Sequence, residues 1–252
     1  MTGEIGVLVW FFLTLVLLTV LQRRLHYEIQ ACFLLITKRA ELSLALFSIM
    51  FFPGVLLHEL SHFMVAKILG VRTGRISLLP EIRSEGRLRM GYVETGKTDI
   101  FRDALIGLAP LVMGVLIITA ILVGLLKFSV FLPLPDASSF GEAFKAVQLM
   151  SRQPDFWAWF YVIFVISSTM FPSEADRRAW FPLAAVAVFL IALGLLMGMG
   201  PWLQVNLMPR IARFFQVITV IISVCLVAHM GLLIPFWVIE RLLSRLTAMR
   251  VV

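Results

Sequence analysis

The chain has 252 residues, 60% of them hydrophobic, with a mean hydropathy of +0.97 and a formal net charge of +7. So apolar a composition lies far above that of a soluble domain, and no polar segment is long enough to bury a core of its own. The basic residues are scattered among Glu and Asp without the interleaved aromatics of a base-stacking surface, so the charge fits lipid-facing loops and argues against a nucleic-acid partner.

The first apolar run, about Glu4 to Leu21, ends at Gln22-Arg23-Arg24. No small-residue cleavage site follows it, so it reads as a retained helix. Tyr27 to Thr37 is apolar but too short to cross a bilayer, so it reads as interfacial or re-entrant. A second long helix is expected from about Glu41 to Leu69, kinked at Pro53-Gly54 and stopped by Gly70. Val71 to Leu79 and Arg87 to Thr95 then alternate with the period of a strand, with a turn at Ser84-Glu85-Gly86, which predicts a β-hairpin beside the membrane.

Further spans are expected over about Asp103–Leu126, Phe156–Pro172, Ala179–Met199 and Phe214–Ile239. Between the first two of these, Ser139-Phe140-Gly141-Glu142 resembles a capping box opening a short amphipathic helix to about Ser151. Residues Gly200 to Arg213 read as a connection. The expected fold is therefore an all-α polytopic membrane protein of about six transmembrane helices with a small β-hairpin at about 71–95. The whole of 1–252 reads as one integral membrane domain. With the C-terminal end of the second helix in the cytoplasm, 13 of the 22 basic residues fall inside, which favours that orientation.

Chemistry is concentrated in Pro53-Gly54-Val55-Leu56-Leu57-His58-Glu59-Leu60-Ser61-His62. Positions i and i+4 share a helix face, so His58 and His62 can aim their imidazoles at one metal ion. Glu59 stands beside the first ligand, where it can reach a water at that metal. Two histidines and a glutamate within five residues of a membrane helix are costly unless they serve a cavity, a partner or a metal. The pattern suits a single Zn2+, which takes nitrogen and oxygen ligands and keeps one position open when catalytic.

A third protein ligand is then expected. Asp176 is the leading candidate and Glu174 the next, because both follow the fourth span within Ser173-Glu174-Ala175-Asp176-Arg177-Arg178. His26, at a membrane boundary, and His229, in mid-span, are weaker alternatives; His229 reads more readily as a packing histidine. Cys32 and Cys225 offer no Cys-x-x-Cys pair and read as small packing residues.

Pro-Gly-x-x-x-His-Glu-x-x-His-x-x-x-Ala-Lys followed by Leu-Gly resembles the site-2 protease family of intramembrane zinc metalloproteases. Gly107-Leu108-Ala109-Pro110-Leu111 is similar to a small-residue and proline motif in that family's following helix, and the likeness covers roughly residues 50–180, with a metal-site core at about 41–180. It implies zinc held by His58, His62 and an aspartate from a later helix, here Asp176, with Glu59 as general base. Two features depart from the family pattern. Arg177, not glycine, follows Asp176, and no carboxylate follows the asparagine-leucine-x-proline echo at Asn206-Leu207-Met208-Pro209. Asn206 is thus a candidate substrate-binding residue or an interfacial polar residue.

The expected function is hydrolysis of peptide bonds in or near transmembrane segments of membrane-protein substrates. An unwound substrate could be held by strand addition to the hairpin. The departures motivate an alternative, a zinc-binding membrane protein that grips partner helices without cutting them. A transporter is disfavoured, since neither inverted repeats nor paired broken helices are present.

Overall fold

The computed structural model describes residues 2–78, 81–82, 88–89, 91–126, 148 and 150–249. Helix α1 runs unbroken over Thr2–Thr37 and α2 over Ala40–Ile68. Four strands follow: β1 Thr73–Ser77, β2 Glu81–Ile82, β3 Leu88–Arg89 and β4 Tyr92–Thr95. Helix α3 spans Ile100–Ala120 and continues into a π-helical turn at Ile121–Leu125. Helix α4 covers Phe156–Thr169 and α5 covers Trp180–Leu196. A helical turn at Gly200–Trp202 and a π-helical turn at Leu203–Leu207 lead directly into α6, Met208–Thr247.

Among the described residues, four helical segments are long and apolar enough to cross a membrane: Ile5–Thr37, Ala40–Ile68, Ile100–Leu125 and Gly200–Thr247. Phe156–Thr169 and Trp180–Leu196 are apolar but shorter. The chain is an all-α membrane protein with a small hairpin, as its composition predicts.

Two segment boundaries differ from the sequence reading. The stretch Tyr27–Thr37 is no separate interfacial piece but the C-terminal part of α1. Gln22-Arg23-Arg24 contains no helix breaker, and Gln and Arg are good helix formers. The charges are accommodated in place: Arg24 is exposed, pairs with the buried Glu28 one turn on and stacks over the Tyr27 ring. The expected connection at Gly200–Arg213 is likewise helical. Pro201 falls in the first turn, where its missing N–H costs nothing. The wider turn at Leu203–Leu207 immediately precedes Pro209, where the ring of a proline would otherwise crowd the carbonyl four residues back.

The hairpin forms as expected. Strands β1 and β4 pair antiparallel with Thr73 opposite Thr95, Ile76 opposite Val93 and Ser77 opposite Tyr92, and a bulge lies between Thr73 and Ile76. Strands β2 and β3 pair antiparallel as a second two-stranded sheet, with Glu81 opposite Arg89. The expected turn at Ser84-Glu85-Gly86 and the expected capping box at Ser139–Glu142 lie outside the described residues. Gly70, at φ +69°, ends the metal-motif helix as a left-handed C-cap, and the N–H of Val71 closes back on the Ala66 carbonyl at 2.8 Å.

The chain clusters into two compact units, the first comprising Met1–Val16, Val55–Met113 and Met170–Thr219 and the second Leu17–Gly54, Gly114–Thr169 and Val220–Val252. In the first, Ala66, Val71 and Ile106 form a buried cluster covered by Val65 and Leu69, which seats the end of α2 on α3. In the second, Phe47, Phe51 and Phe164 stack in sequence with the His26 ring against the first two. Gly54 belongs to the same unit: a Cβ there would stand 2.6 Å from the Val165 carbonyl oxygen and would also strike Thr169, so only glycine permits this approach of α2 and α4.

Candidate metal centre

The first compact unit gathers the motif residues. His58 and His62, one turn apart on α2, bring their Nε2 atoms to 3.2 Å of each other with rings nearly perpendicular at 81°. Asp176, from the turn before α5, sets Oδ1 3.4 Å from His62 Nε2 and Oδ2 3.9 Å from His58 Nε2. Among the described residues this trio is the one group of three or more His, Cys, Asp or Glu side chains able to hold a metal ion. Two imidazole nitrogens and a carboxylate at these separations require a proton or a cation between them.

The donor set fits zinc. Zinc–nitrogen and zinc–oxygen bonds of about 2.0–2.2 Å give tetrahedral ligand–ligand edges of roughly 3.3–3.5 Å. Two of the observed edges, 3.2 and 3.4 Å, lie within a tenth or so of that range. The third, at 3.9 Å, closes with a shift of a few tenths of an ångström.

Two of the three ligands, His62 and Asp176, are held by backbone partners that follow from the sequence. His62 Nδ1–H donates to the Ile106 carbonyl oxygen at 2.8 Å, which orients the ring with Nε2 towards His58 and Asp176. In an α-helix the carbonyl of residue 106 would bond the N–H of residue 110, but residue 110 is Pro110 and has none. The proline therefore frees the carbonyl that fixes the tautomer of a ligand on the neighbouring helix.

Asp176 is oriented by the N–H of Ser173, which donates to Oδ2 at 2.7 Å, while the Asp176 N–H approaches Ser173 Oγ at 3.4 Å. This reciprocal Ser-x-x-Asp pairing has the logic of a capping box. Gly107 lets α3 lie directly against the Asp176 peptide: a Cβ at residue 107 would overlap its carbonyl oxygen and stand 2.9 Å from its carbonyl carbon. The three ligands are partly open, with side-chain exposures of 13% for His58, 9% for His62 and 16% for Asp176.

Glu59 is 7% exposed and packs against Gly91, just before β4. It projects about 100° around α2 from His58, so its carboxylate must bend back to approach the ligand cluster.

The remaining candidates lie elsewhere. Glu174 is exposed and stands outside the ligand group. Asn206 turns its amide to the Trp202 carbonyl oxygen in its own helix at 3.0 Å. His229, in the second unit, is a satisfied packing histidine: Nδ1–H donates to the Cys225 carbonyl oxygen at 2.8 Å, and Nε2 accepts from Ser168 Oγ at 3.0 Å. His26, in the same unit, lies with its ring on Phe47 and Phe51. Cys225 is fully buried, and Cys32 Sγ reaches the Phe236 carbonyl oxygen at 3.6 Å.

The sequence motifs do not mark Ser173, Ile106 or Gly91 as parts of this site, and Pro110 enters only through the small-residue and proline motif at 107–111. For Ser173 a signal existed in Ser-x-x-Asp, and for Ile106 in a proline four residues ahead. No protein-family model, curated protein or solved structure matches the chain.

Proposed function

We propose that the protein is a multi-pass zinc metalloprotease of the cell membrane, of the site-2 protease kind, that hydrolyses peptide bonds in or near transmembrane segments of other proteins. The observation that carries this reading is the meeting of His58, His62 and Asp176 on one point, with the His62 tautomer set by the Ile106 carbonyl and Glu59 one residue from a ligand. A structural cluster would need neither a fixed tautomer with its lone pair turned inward nor an adjacent carboxylate.

In this reading His58, His62 and Asp176 hold one Zn2+. Bound there, the ion would lower the pKa of a coordinated water to about 7 and polarise the scissile carbonyl. Glu59 takes a proton from the attacking water and later delivers it to the leaving amine. Ser173 and Ile106 keep two of the ligands in orientation through the bonds described above. A membrane helix hides its carbonyls in its own hydrogen bonds, so the substrate must unwind locally, and a free edge of the β1–β4 pair could hold the unwound strand.

The test is cleavage, by purified protein in lipid nanodiscs, of single-span peptides whose apolar stretch carries a helix-breaking Gly-Pro. Wild type is expected to cut and to carry one zinc per chain. Glu59→Gln should keep the zinc and lose at least about 10²-fold in rate. Full activity in Glu59→Gln would remove Glu59 as base, and stoichiometric zinc without cleavage of any peptide would favour the partner-binding alternative.

A further inference from the structure

We propose that Gly91 is a positioning residue for Glu59: the bare backbone just before β4 is a backstop that limits where the Glu59 carboxylate can lie. The inference rests on the hydrolase reading above, and its geometry is independent of that reading.

Val55 and Glu59 are four residues apart and share one face of α2. The backbone of Gly91 lies on that face. A Cβ built on Gly91 would stand 3.0 Å from Glu59 Cγ, 3.1 Å from Val55 Cγ1 and 3.2 Å from Glu59 Oε1. The two carbon distances are shorter than ordinary carbon contact of about 3.5–4.0 Å, so any side chain at residue 91 would force Glu59 and Val55 to give way by a few tenths of an ångström. Its position is not adjustable at will, because Tyr92 is locked opposite Ser77 by the β1–β4 ladder.

On the helix side, Glu59 projects about 100° away from His58, so where its carboxylate lies depends on what its stem packs against. The Gly91 backbone is one such contact, and Glu59 is buried at 7% exposure. A methyl group at residue 91 would push the Glu59 stem by several tenths of an ångström. A displacement approaching 1 Å at a reacting group costs up to about 10²-fold in rate.

Three variants of the full chain, assayed in nanodiscs with the peptides above, test this. Gly91→Ala is expected to lower kcat about 10- to 100-fold with KM and zinc content unchanged. Gly96→Ala is the control within the same hairpin: its Cβ would meet nothing closer than 3.4 Å, and wild-type kinetics are expected. The pair Val55→Cys and Gly91→Cys reads the apposition without catalysis. The 3.1 Å from the Cβ at 91 to Val55 Cγ1 matches the roughly 3.0 Å between a Cβ and the far sulfur of a disulfide, so mild oxidation should link them.

Failure of that link to form would overturn the proposal whatever the activity. So would a Gly91→Ala protein with wild-type kcat, or one that loses its zinc, since the effect would then be on the fold. Wild-type protein that binds zinc and cleaves nothing would sink the hydrolase reading and Gly91's role with it. An active wild type with an equally active Gly91→Ala sinks this inference alone.

Discussion

Gly107 is the position at which one methyl group should cost the most metal. In Gly107→Ala the new Cβ would stand 2.9 Å from the Asp176 carbonyl carbon, 3.2 Å from its Cα and closer still to its carbonyl oxygen. Backbone atoms cannot rotate away as a side-chain tip can, and carbon contacts are comfortable only at about 3.5–4.0 Å, so the Asp176 peptide must retreat by roughly 1 Å. Ligand distances in a zinc site are held within about 0.2 Å, so a carboxylate carried that far leaves the coordination sphere. Losing a partner that merely orients a ligand costs about 10- to 100-fold in affinity. The loss of Asp176 itself should therefore be at least about 10²-fold, or roughly 2.7 kcal/mol. Chelator competition on purified protein measures this directly. Gly231→Ala, where a Cβ meets nothing within 4 Å, controls for the effect of Gly-to-Ala change in a helix. Because both changes act on one ligand, Gly107→Ala added to Asp176→Ala should cost little more than Asp176→Ala alone. A Gly107→Ala protein with wild-type zinc affinity would refute the claim that Asp176 is a ligand held by this contact.

The other expectations are narrower. Asp176→Ala should lose zinc while Glu174→Ala keeps it, read by metal content after dialysis, because the first lies in the ligand group and the second is exposed outside it. Pro110→Ala returns an N–H that competes for the Ile106 carbonyl, and zinc affinity should fall by up to about tenfold with stability preserved or raised. Ser168→Ala leaves His229 Nε2 without its buried partner and should lower stability by about 1–2 kcal/mol in denaturant titration, with zinc binding unchanged. The exposed Asp99 caps α3, accepting from the N–H groups of Arg102 and Phe101 at 3.0 and 3.1 Å, and the Arg102 N–H above all holds its carboxyl below the usual range. A depressed carboxyl stabilises the folded state above its unfolded value of about 3.9 and loses that contribution as pH falls through the folded value. Thermal melting should therefore show Asp99→Ala converging on wild type as the pH drops below about 4.

The helices were legible because apolar composition and length dictate them, and the two errors of boundary share a cause. Arg23-Arg24 and Gly200-Pro201 look like punctuation, yet neither breaks a helix: arginine extends one when its charge can reach a partner such as Glu28, and proline is harmless in a first turn. The ligands were legible to different depths. His58 and His62 need only helical periodicity to meet. Asp176 lies 114 residues beyond His62 in the sequence, and no local pattern fixes that approach, so Asp176 and Glu174 could be told apart only by the fold. Gly91 and Ile106 both act through their backbone, so the residue type itself carries little trace of the role, and Ile106 is marked only by the proline four residues ahead.

That last point bears on how the site is built. Three groups that would otherwise repel one another's lone pairs are each steered from behind by main chain: His62 by the Ile106 carbonyl, Asp176 by the Ser173 N–H, Glu59 by the Gly91 backbone. Main-chain groups on a packed helix, in a hydrogen-bonded turn and beside a paired strand are harder to re-orient than side-chain partners, which in an apolar surrounding could turn to each other. Rigid backing of this kind is what a reactive cluster needs, since it keeps the groups facing a common point when relaxation would turn them away. A histidine cluster kept only for stability has the opposite requirement, and His229 illustrates it: both ring nitrogens are consumed by neighbours and nothing is left facing outward. Within one chain the two histidine arrangements differ in what the second ring nitrogen meets: a single hydroxyl at His229, but another imidazole and a carboxylate at His62, a set of donors that share one point and can take a cation.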